Sequence, residues 1–443
     1  MVEANLKIIT ELKLFLEIAA TDPEIRQLFT DKASDFSRDR KLPFEKLVSM
    51  LINLPKRTLS IEIQEFFENI GTPELSCTKG AFSLQRVKLK PVFFKLWNQW
   101  LVDNFYYWYG PNVKQWNGFT LLAVDGSTGY LFNKGDIMKH FGTQSNQYME
   151  VPMTQVMQIQ DVLNDLTLWS DIYPANEPEQ HIMADNIHRV PPGSLTLFDR
   201  GYPSYTLMYL LLNQEQPRHF VMRCRSNFNN AVKDFLRSSK HSKIIELKAD
   251  KRTIGQLKMY GFILTANTTI KVRMVKINLP TGAQEVLLTN LYDETIYNLQ
   301  ELKELYAMRW RIETTYNKQK NQQQMEIFTG HKVICIEQDY AAGIFTANLQ
   351  SLIEKQTDQY VQRISKNRKH NYKINKNVCW AALKHRVVKL FLEEDTISIL
   401  VHLQKAFERN LEPVRLGRSY PRVTKAKRTK GKYQTFINYR RSL

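Results

Sequence analysis

Tyr306, Arg309, Glu313 and Lys320 stand at offsets of 0, 3, 7 and 14 along the chain. On an α-helix, at about 100° per residue, these offsets fall within roughly a 60° arc and cover about 21 Å of axis. Leu305, Met308 and Ile312 form an adjoining apolar stripe. Such a helix can pack on a sheet by the stripe while presenting one acid flanked by a phenol and two cations. A solvated face with incidental charges is the plain alternative, but an exposed salt bridge has no use for the tyrosine. Two more acids close short apolar runs, Phe119-Thr-Leu-Leu-Ala-Val-Asp125-Gly126 and Ser194-Leu-Thr-Leu-Phe-Asp199-Arg200-Gly201. In open α/β sheets, ligands and catalytic groups gather at strand ends. Leu195, Leu197 and Asp199 alternate and so share one face, with the acid ending an apolar row. Taken singly, each aspartate reads more readily as a turn or cap residue.

Cutting a phosphodiester is a chemistry that needs this set. It requires an in-line nucleophile and stabilisation of charge on the leaving oxygen. Two Mg²⁺ ions held by a few carboxylates with open positions supply both. Mn²⁺ accepts the same oxygen donors, whereas a softer metal asks for His or Cys. Arg309 and Lys320 would then fix DNA phosphates beside the metals. Asp125, Asp199 and Glu313 are accordingly the candidate catalytic and metal-holding residues. Asp136, Asp161, Asp171 and Asp185 read instead as loop or surface acids. His140, His188 and His331 form no HxxxH or His–Cys cluster, so metal ligation by them is not expected.

The bulk composition agrees with a nucleic-acid partner. The 443 residues carry a formal charge of +18, an excess that suits a polyanion. A hydrophobic fraction of 43% makes the chain globular rather than disordered. Cys77, Cys224, Cys335 and Cys379 are widely spaced, which argues against zinc fingers and a disulfide scaffold and fits a reducing cytoplasm. No apolar run is long enough to span a bilayer, and the start MVEANLKIITELK is too charged for a secretory signal. After Glu412 the chain holds ten Lys or Arg and no acid, as expected of a DNA-contacting tail.

The elements that must position the acids follow from periodicity. Leu6, Ile9, Leu12, Leu16 and Ala19 predict a first helix, Pro43 opens a second, and 58–70 reads as a third. Residues 78–109 begin basic (Lys79, Arg86, Lys88, Lys90) and end aromatic. They read either as part of a DNA-docking domain or as core aromatics beside a solvated face. Near Gly118 the texture changes. Residues 119–125, 151–160, 165–173, 194–199 and 219–224 read as strands, the second and third joined by a turn at Asn164, with helices over 177–189 and 205–213. This order is an α/β layer architecture. Short β segments at 244–247, 257–262, 269–277 and 285–291 predict a β-rich insertion, followed by one long helix from 298 to about 326. The remainder reads as helical, most clearly at 341–354 and 378–393.

The pattern Tyr306-x2-Arg309-x3-Glu313-x6-Lys320 resembles the signature of the "insertion sequence four" family of bacterial transposases at each of its four positions. Ala-Val-Asp125-Gly-Ser and Leu-Phe-Asp199-Arg-Gly-Tyr are similar to the family's two aspartate blocks. Thr289-Asn-Leu-Tyr and Arg309-Trp-Arg-Ile-Glu313 resemble its approach to the glutamate, and Phe36-Ser-Arg-Asp-Arg-Lys-Leu-Pro43 its N-terminal region. The resemblance implies a ribonuclease H-like core interrupted by a β insertion between the second Asp and the Glu. It implies metal-dependent nicking at transposon ends, attack of the freed 3′-OH on the opposite strand to give a hairpin, and later attack on target DNA. It also implies a homodimer acting on duplex DNA with paired terminal inverted repeats, in a bacterial cytoplasm near the nucleoid. Related enzymes hold a flipped base with a tryptophan in the insertion, yet no Trp lies between Trp169 and Trp310 here. Tyr292 or Phe262 offers a π-face instead. Tyr202 and Tyr205 both compete for the family's aromatic after Gly201.

The expected organisation is a helical DNA-binding region at 1–115, a ribonuclease H-like core at 116–224 and 297–355, a β-rich insertion at 225–296, and a helical region with a basic tail at 356–443. Three functions fit the sequence: a cut-and-paste transposase, a metal-dependent nuclease of the same fold that does not join strands, and a catalytically silent DNA-binding descendant. The presence of all three carboxylates weighs against the last.

Overall fold

The computed structural model describes residues 2–38, 40–145, 150–278, 282–366 and 368–415. They divide into two compact units. One takes in the described residues of Met1–Val113, Thr128–Thr154 and Asn317–Leu443, the other Lys114–Ser127 and Gln155–Tyr316.

A nine-stranded sheet runs through β1 (Thr120–Tyr130), β2 (Thr143–Ser145), β3 (Glu150–Asp161), β4 (Leu166–Pro174), β5 (Ser194–Phe198), β6 (His219–Cys224), β7 (Ser242–Lys248), β8 (Thr269–Asn278) and β9 (Gln284–Thr289). Its order is β2-β3-β1-β5-β6-β9-β8-β7, with β4 also on β3. The Leu131 N–H donates to the Pro152 carbonyl and the Val162 N–H to the Leu121 carbonyl, so β1 and β3 run antiparallel. β1 and β5 are parallel, as are β5 and β6. The spatial order β4-β3-β1-β5-β6, a meander followed by two parallel strands, is the ribonuclease H-like arrangement inside a mixed α/β sheet. Leu121, Leu122, Ala123 and Val124 are all fully buried, as an apolar run in a central strand must be when both faces are covered. The predicted turn at Asn164 is present: the Asp161 carboxylate accepts from the N–H groups of Leu163 and Asn164, each at 3.0 Å. Asp161 is therefore neither a loop nor a surface acid: it is the fully buried last residue of β3, and its carboxylate holds the turn that follows.

The strands β7, β8 and β9 extend the same sheet. β9 lies antiparallel to β6, β8 to β9, and β7 to β8. Thr289 Oγ1 donates to the Phe220 carbonyl at 2.6 Å, and the Asn290 amide brackets β6 by accepting from Phe220 N–H and donating to the Arg218 carbonyl. That gives the Thr289-Asn290 pair a structural role. The strand expected at 257–262 is absent. A helix, Lys251–Met259, occupies this stretch, started by Asp250, whose side chain accepts from Thr253 N–H at 2.7 Å. The single long helix expected from 298 is also broken. It consists of Leu299–Ala307, a step at Met308 and Arg309, Trp310–Asn317 and a π turn over Lys318–Gln322.

The first unit holds the long helices Val2–Thr21, Val92–Tyr109 and Val333–Glu354. Trp97 stacks on Phe345 with centroids 3.9 Å apart and donates its Nε1–H to the Leu12 carbonyl, so Trp97 is core, as is Phe105, whereas Trp100 and Tyr107 of the same aromatic run are exposed. Arg86, counted among the basic residues that open this region, is 1% exposed. Its guanidinium pairs with Asp339 at 2.8 Å and with Gln338 at 2.7 Å, which makes it an internal tie rather than a DNA contact. The basic tail falls almost wholly in residues 416–443, outside the described residues. Among the described residues no helix is long and apolar enough to cross a membrane.

Candidate active site

Register brings the two aspartates together. The parallel ladder between β1 and β5 pairs Leu122 with Thr196, Ala123 with Leu197 and Val124 with Phe198. The next step along each chain is Asp125 and Asp199, so the two acids leave neighbouring positions of adjacent strands, which in a sheet lie about 4.8 Å apart. β1 continues to Tyr130, so Asp125 lies within its strand, whereas Asp199 follows directly on β5.

The segment around residues 306–316 is fastened to these strand ends. Tyr306 donates its hydroxyl to the Phe198 carbonyl at 3.3 Å, immediately before Asp199. Tyr316 donates to the carbonyl of Asp125 itself at 2.8 Å. Arg311 donates to the Val162 carbonyl at 2.9 Å, and Ile312 is fully buried. These anchors leave Glu313 as the most open of the three acids, its side chain 39% exposed against 18% for Asp125 and 29% for Asp199.

Arg309 joins Glu313 to Asp125. Its guanidinium lies 2.8 Å from Glu313 and 3.8 Å from Asp125, over the Trp310 ring, and the residue is 2% exposed. Its Nε is buried without a hydrogen-bond partner. Burial works against the charge of Arg309, but Tyr306, Glu313 and Asp125 outweigh it and hold its pKa above the usual value. The carboxyl of Asp125 is pushed up to about 7, first by burial. The Arg309 charge opposes this, and Glu179, Asp199 and Glu313 add to it. Burial also raises Tyr306, to about 12, so its phenol stays protonated and donates. Asp199 lies 4.0 Å from Arg223, which in turn pairs with Glu285 at 2.9 Å.

Lys320 belongs to the first unit, where it donates to the Thr128 carbonyl at 2.5 Å and lies 3.8 Å from Glu326. Burial lowers its pKa. The uniform helical advance that places Tyr306, Arg309, Glu313 and Lys320 on one arc is interrupted at Met308–Arg309 and again by the π turn, whose hydrogen bonds span five residues. Tyr292 lies just beyond β9, 40% exposed, with its hydroxyl on the Lys271 carbonyl at 2.7 Å. Phe262 packs edge-on against Tyr209. Of the two aromatics after Gly201, Tyr202 is the one buried against Phe198, and Tyr205 stacks on Tyr209.

The structure adds a fourth carboxylate that the sequence reading passed over. Glu179 accepts from Tyr202 Oη at 2.7 Å and from Gln155 Nε2 at 3.0 Å, and its carboxylate stands against Gly126. In the sequence it reads as an ordinary first-turn helix acid. A cavity of about 400 Å³ also opens where the chain leaves Asp199, lined by Arg200, Arg223, Arg225, Asn227 and Glu285 among others. Three guanidiniums against one carboxylate suit a phosphate.

The donor chemistry of the acid set fits a hard divalent cation: carboxylate oxygens without thiol or imidazole, gathered where one acid already resists ionisation. Among the described residues, however, no three acidic, His or Cys side chains converge to coordinating distance. The spacing here is that of acids bridged by an arginine.

Residues 117–335, just under half of the chain, match the family model described as transposase DDE domain. No curated protein matches the sequence. Among solved structures, the chain is similar to a piggyBac transposase seen by electron cryomicroscopy in a synaptic complex with hairpin DNA. The likeness has a TM-score of 0.42 and 11% identity, and it covers 91% of this chain and 78% of that one.

Proposed function

We propose that this chain is a DNA transposase that cleaves and joins strands at transposon ends, with Asp125, Asp199 and Glu313 as its catalytic acids. One observation carries the reading: Asp125 and Asp199 directly follow Val124 and Phe198, the last register pair of the parallel strands β1 and β5, and Arg309 links Glu313 to the first of them. The family match over residues 117–335 supports the same assignment. The resemblance of Tyr306, Arg309, Glu313 and Lys320 to the signature of the insertion sequence four family supports a reading as a bacterial cut-and-paste element, acting as a homodimer on duplex DNA with terminal inverted repeats.

The three carboxylates would hold two Mg²⁺ ions, or Mn²⁺ in their place, which when bound supply a nucleophilic oxygen at neutral pH and offset charge on the leaving oxygen. The chain's own residues do the rest. Tyr306 and Tyr316 clamp the backbone at Phe198 and Asp125, keeping the two strand ends aligned for in-line attack. Arg309 neutralises the acids while the site is free of substrate and offers its guanidinium to a phosphate when DNA arrives. Arg200 and Arg225, at the cavity beyond Asp199, receive the backbone of the same strand, and Lys320 adds a further phosphate contact. Tyr292 offers a stacking face for a displaced base at the hairpin step.

Purified protein, Mg²⁺ and a labelled duplex carrying the flanking inverted repeats separate the candidate functions. A transposase yields nicks, hairpins and strand-transfer products. Nicks and breaks without joined products would favour a nuclease, and binding without cleavage a silent DNA-binding descendant.

A further inference from the structure

The start of the helix Glu179–Asp185 touches the backbone beside both aspartates. Oε2 of Glu179 accepts from the Tyr202 hydroxyl at 2.7 Å, and Oε1 accepts from Gln155 Nε2 at 3.0 Å. Tyr202 is buried three residues past Asp199, and its N–H returns to the Asp199 carbonyl at 3.2 Å. Gln155 lies on β3, the neighbour of β1. Gly126 follows Asp125, and a Cβ placed there would stand 2.1 Å from Oε1 of Glu179. The carboxylate is therefore seated on the β1 backbone one residue past the first catalytic acid. Gln180, the next residue, donates its side-chain amide to the Gly201 carbonyl, two residues past the second.

We infer that Glu179 is a positioning residue of the cleavage site, tying Gly126, Gln155 and Tyr202 together so that Asp125 and Asp199 keep a fixed separation and orientation. The inference rests on the reading of those two aspartates as metal-holding acids. Glu179 acts chiefly as a double acceptor, one oxygen for Tyr202 and one for Gln155, and its charge adds only a lesser influence on Asp125. Glutamine can do the same work: its carbonyl oxygen accepts from Tyr202, and Gln155 turns its amide to accept from the new NH₂. Alanine leaves the buried Tyr202 hydroxyl only the weak acceptor Met157 Sδ at 3.6 Å and vacates the seat on Gly126.

The test is Mn²⁺ binding to the purified full-length chain, read by electron paramagnetic resonance without DNA, alongside cleavage of terminal-repeat duplex. Groups that orient metal ligands typically change metal affinity about 10–100-fold when removed. Glu179→Ala should weaken Mn²⁺ binding by about tenfold or more and slow cleavage with it. Tyr202→Phe, which removes one of the two bonds, should weaken it less. Glu179→Gln should stay within about threefold of the parent in both readouts, since its two bonds are kept. Equal loss of Mn²⁺ in Glu179→Gln and Glu179→Ala would make the carboxylate itself the requirement and overturn the positioning role, as would unchanged binding in Glu179→Ala. Should Glu179→Ala fail to fold by circular dichroism, the ordering of Glu179→Gln above Tyr202→Phe decides: that ordering supports the role, and its reversal overturns it. Asp125→Asn is measured in parallel. If it keeps full Mn²⁺ affinity, the metal-site reading falls first and takes this inference with it.

Discussion

Truncating Arg309 to alanine should destabilise the protein, and Mg²⁺ should then repair the loss. The magnitude follows from burial and distance. Arg309 is 2% exposed, with Glu313 at 2.8 Å and Asp125 at 3.8 Å. At an effective dielectric near 20, unit charges about 4 Å apart attract by about 4 kcal/mol. Desolvation of the guanidinium takes back most of that, so the pair adds little net stability, but breaking it leaves acids facing one another and costs about 3–5 kcal/mol. Because the Glu313 side chain is 39% exposed, water screens its share, and the lower end, about 3 kcal/mol, is expected. A divalent cation bound by the same acids restores the missing charge: at a hundred times its dissociation constant it returns about 2.7 kcal/mol. Urea unfolding of parent and variant, with a chelator and then with Mg²⁺, reads both effects, provided the denaturant slopes agree. Parent-like stability of Arg309→Ala without metal, or a variant that Mg²⁺ stabilises no more than the parent, would refute the picture of an arginine standing among metal-holding acids.

Other outcomes follow from the same geometry. Gly126→Ala forces its Cβ to within 2.1 Å of Glu179, whose carboxylate is pinned by Tyr202 and Gln155. A shift of about 1 Å at the neighbouring Asp125 should slow cleavage about a hundredfold, whereas a parent-like rate would show that the seat has room. Lys320→Ala should weaken binding to terminal-repeat duplex and make the salt dependence shallower by about one unit. An unchanged slope would leave Lys320 only its tie to Thr128 and Glu326. Arg86→Ala breaks a buried pair with Asp339 and should cost about 3–5 kcal/mol, with the salt slope of DNA binding unchanged in the fraction that folds; a shallower slope would restore Arg86 as a phosphate contact.

Much of the core was legible because its strands carry undiluted local signals. The runs ending at Asp125 and Asp199 read as central strands because only burial on both faces tolerates continuous apolar sequence, and Leu121, Leu122, Ala123 and Val124 of the first and all of Ser194–Phe198 in the second are buried. The Asp161–Asn164 turn announced itself by composition. The extension of β1 to Tyr130 was hidden, because Gly126-Ser-Thr-Gly reads as a strand terminator and only pairing with β3 carries the strand through it. The false strand at 257–262 arose from reading apolar residues without weighing the Asp250 cap upstream, which starts a helix. The break at Met308–Arg309 left no mark in a pattern that assumed uniform helical advance. Glu179 could not be found by type or spacing. Its partners Gln155, Tyr202 and Gly126 meet only when β3, β1 and the chain beyond β5 come together in the sheet, and an acid in the first turn of a helix is commonplace.

The central claim is that Asp125, Asp199 and Glu313 together cut DNA. The most direct measurement is single-turnover cleavage of terminal-repeat duplex in Mg²⁺ by Asp125→Ala, Asp199→Ala and Glu313→Ala, each with its DNA affinity determined at the same salt. The account predicts that cleavage falls by several kcal/mol of transition-state stabilisation, about a thousandfold or more, in all three, while each variant still binds the duplex. Parent-like cleavage by any one of them would remove that residue from the site.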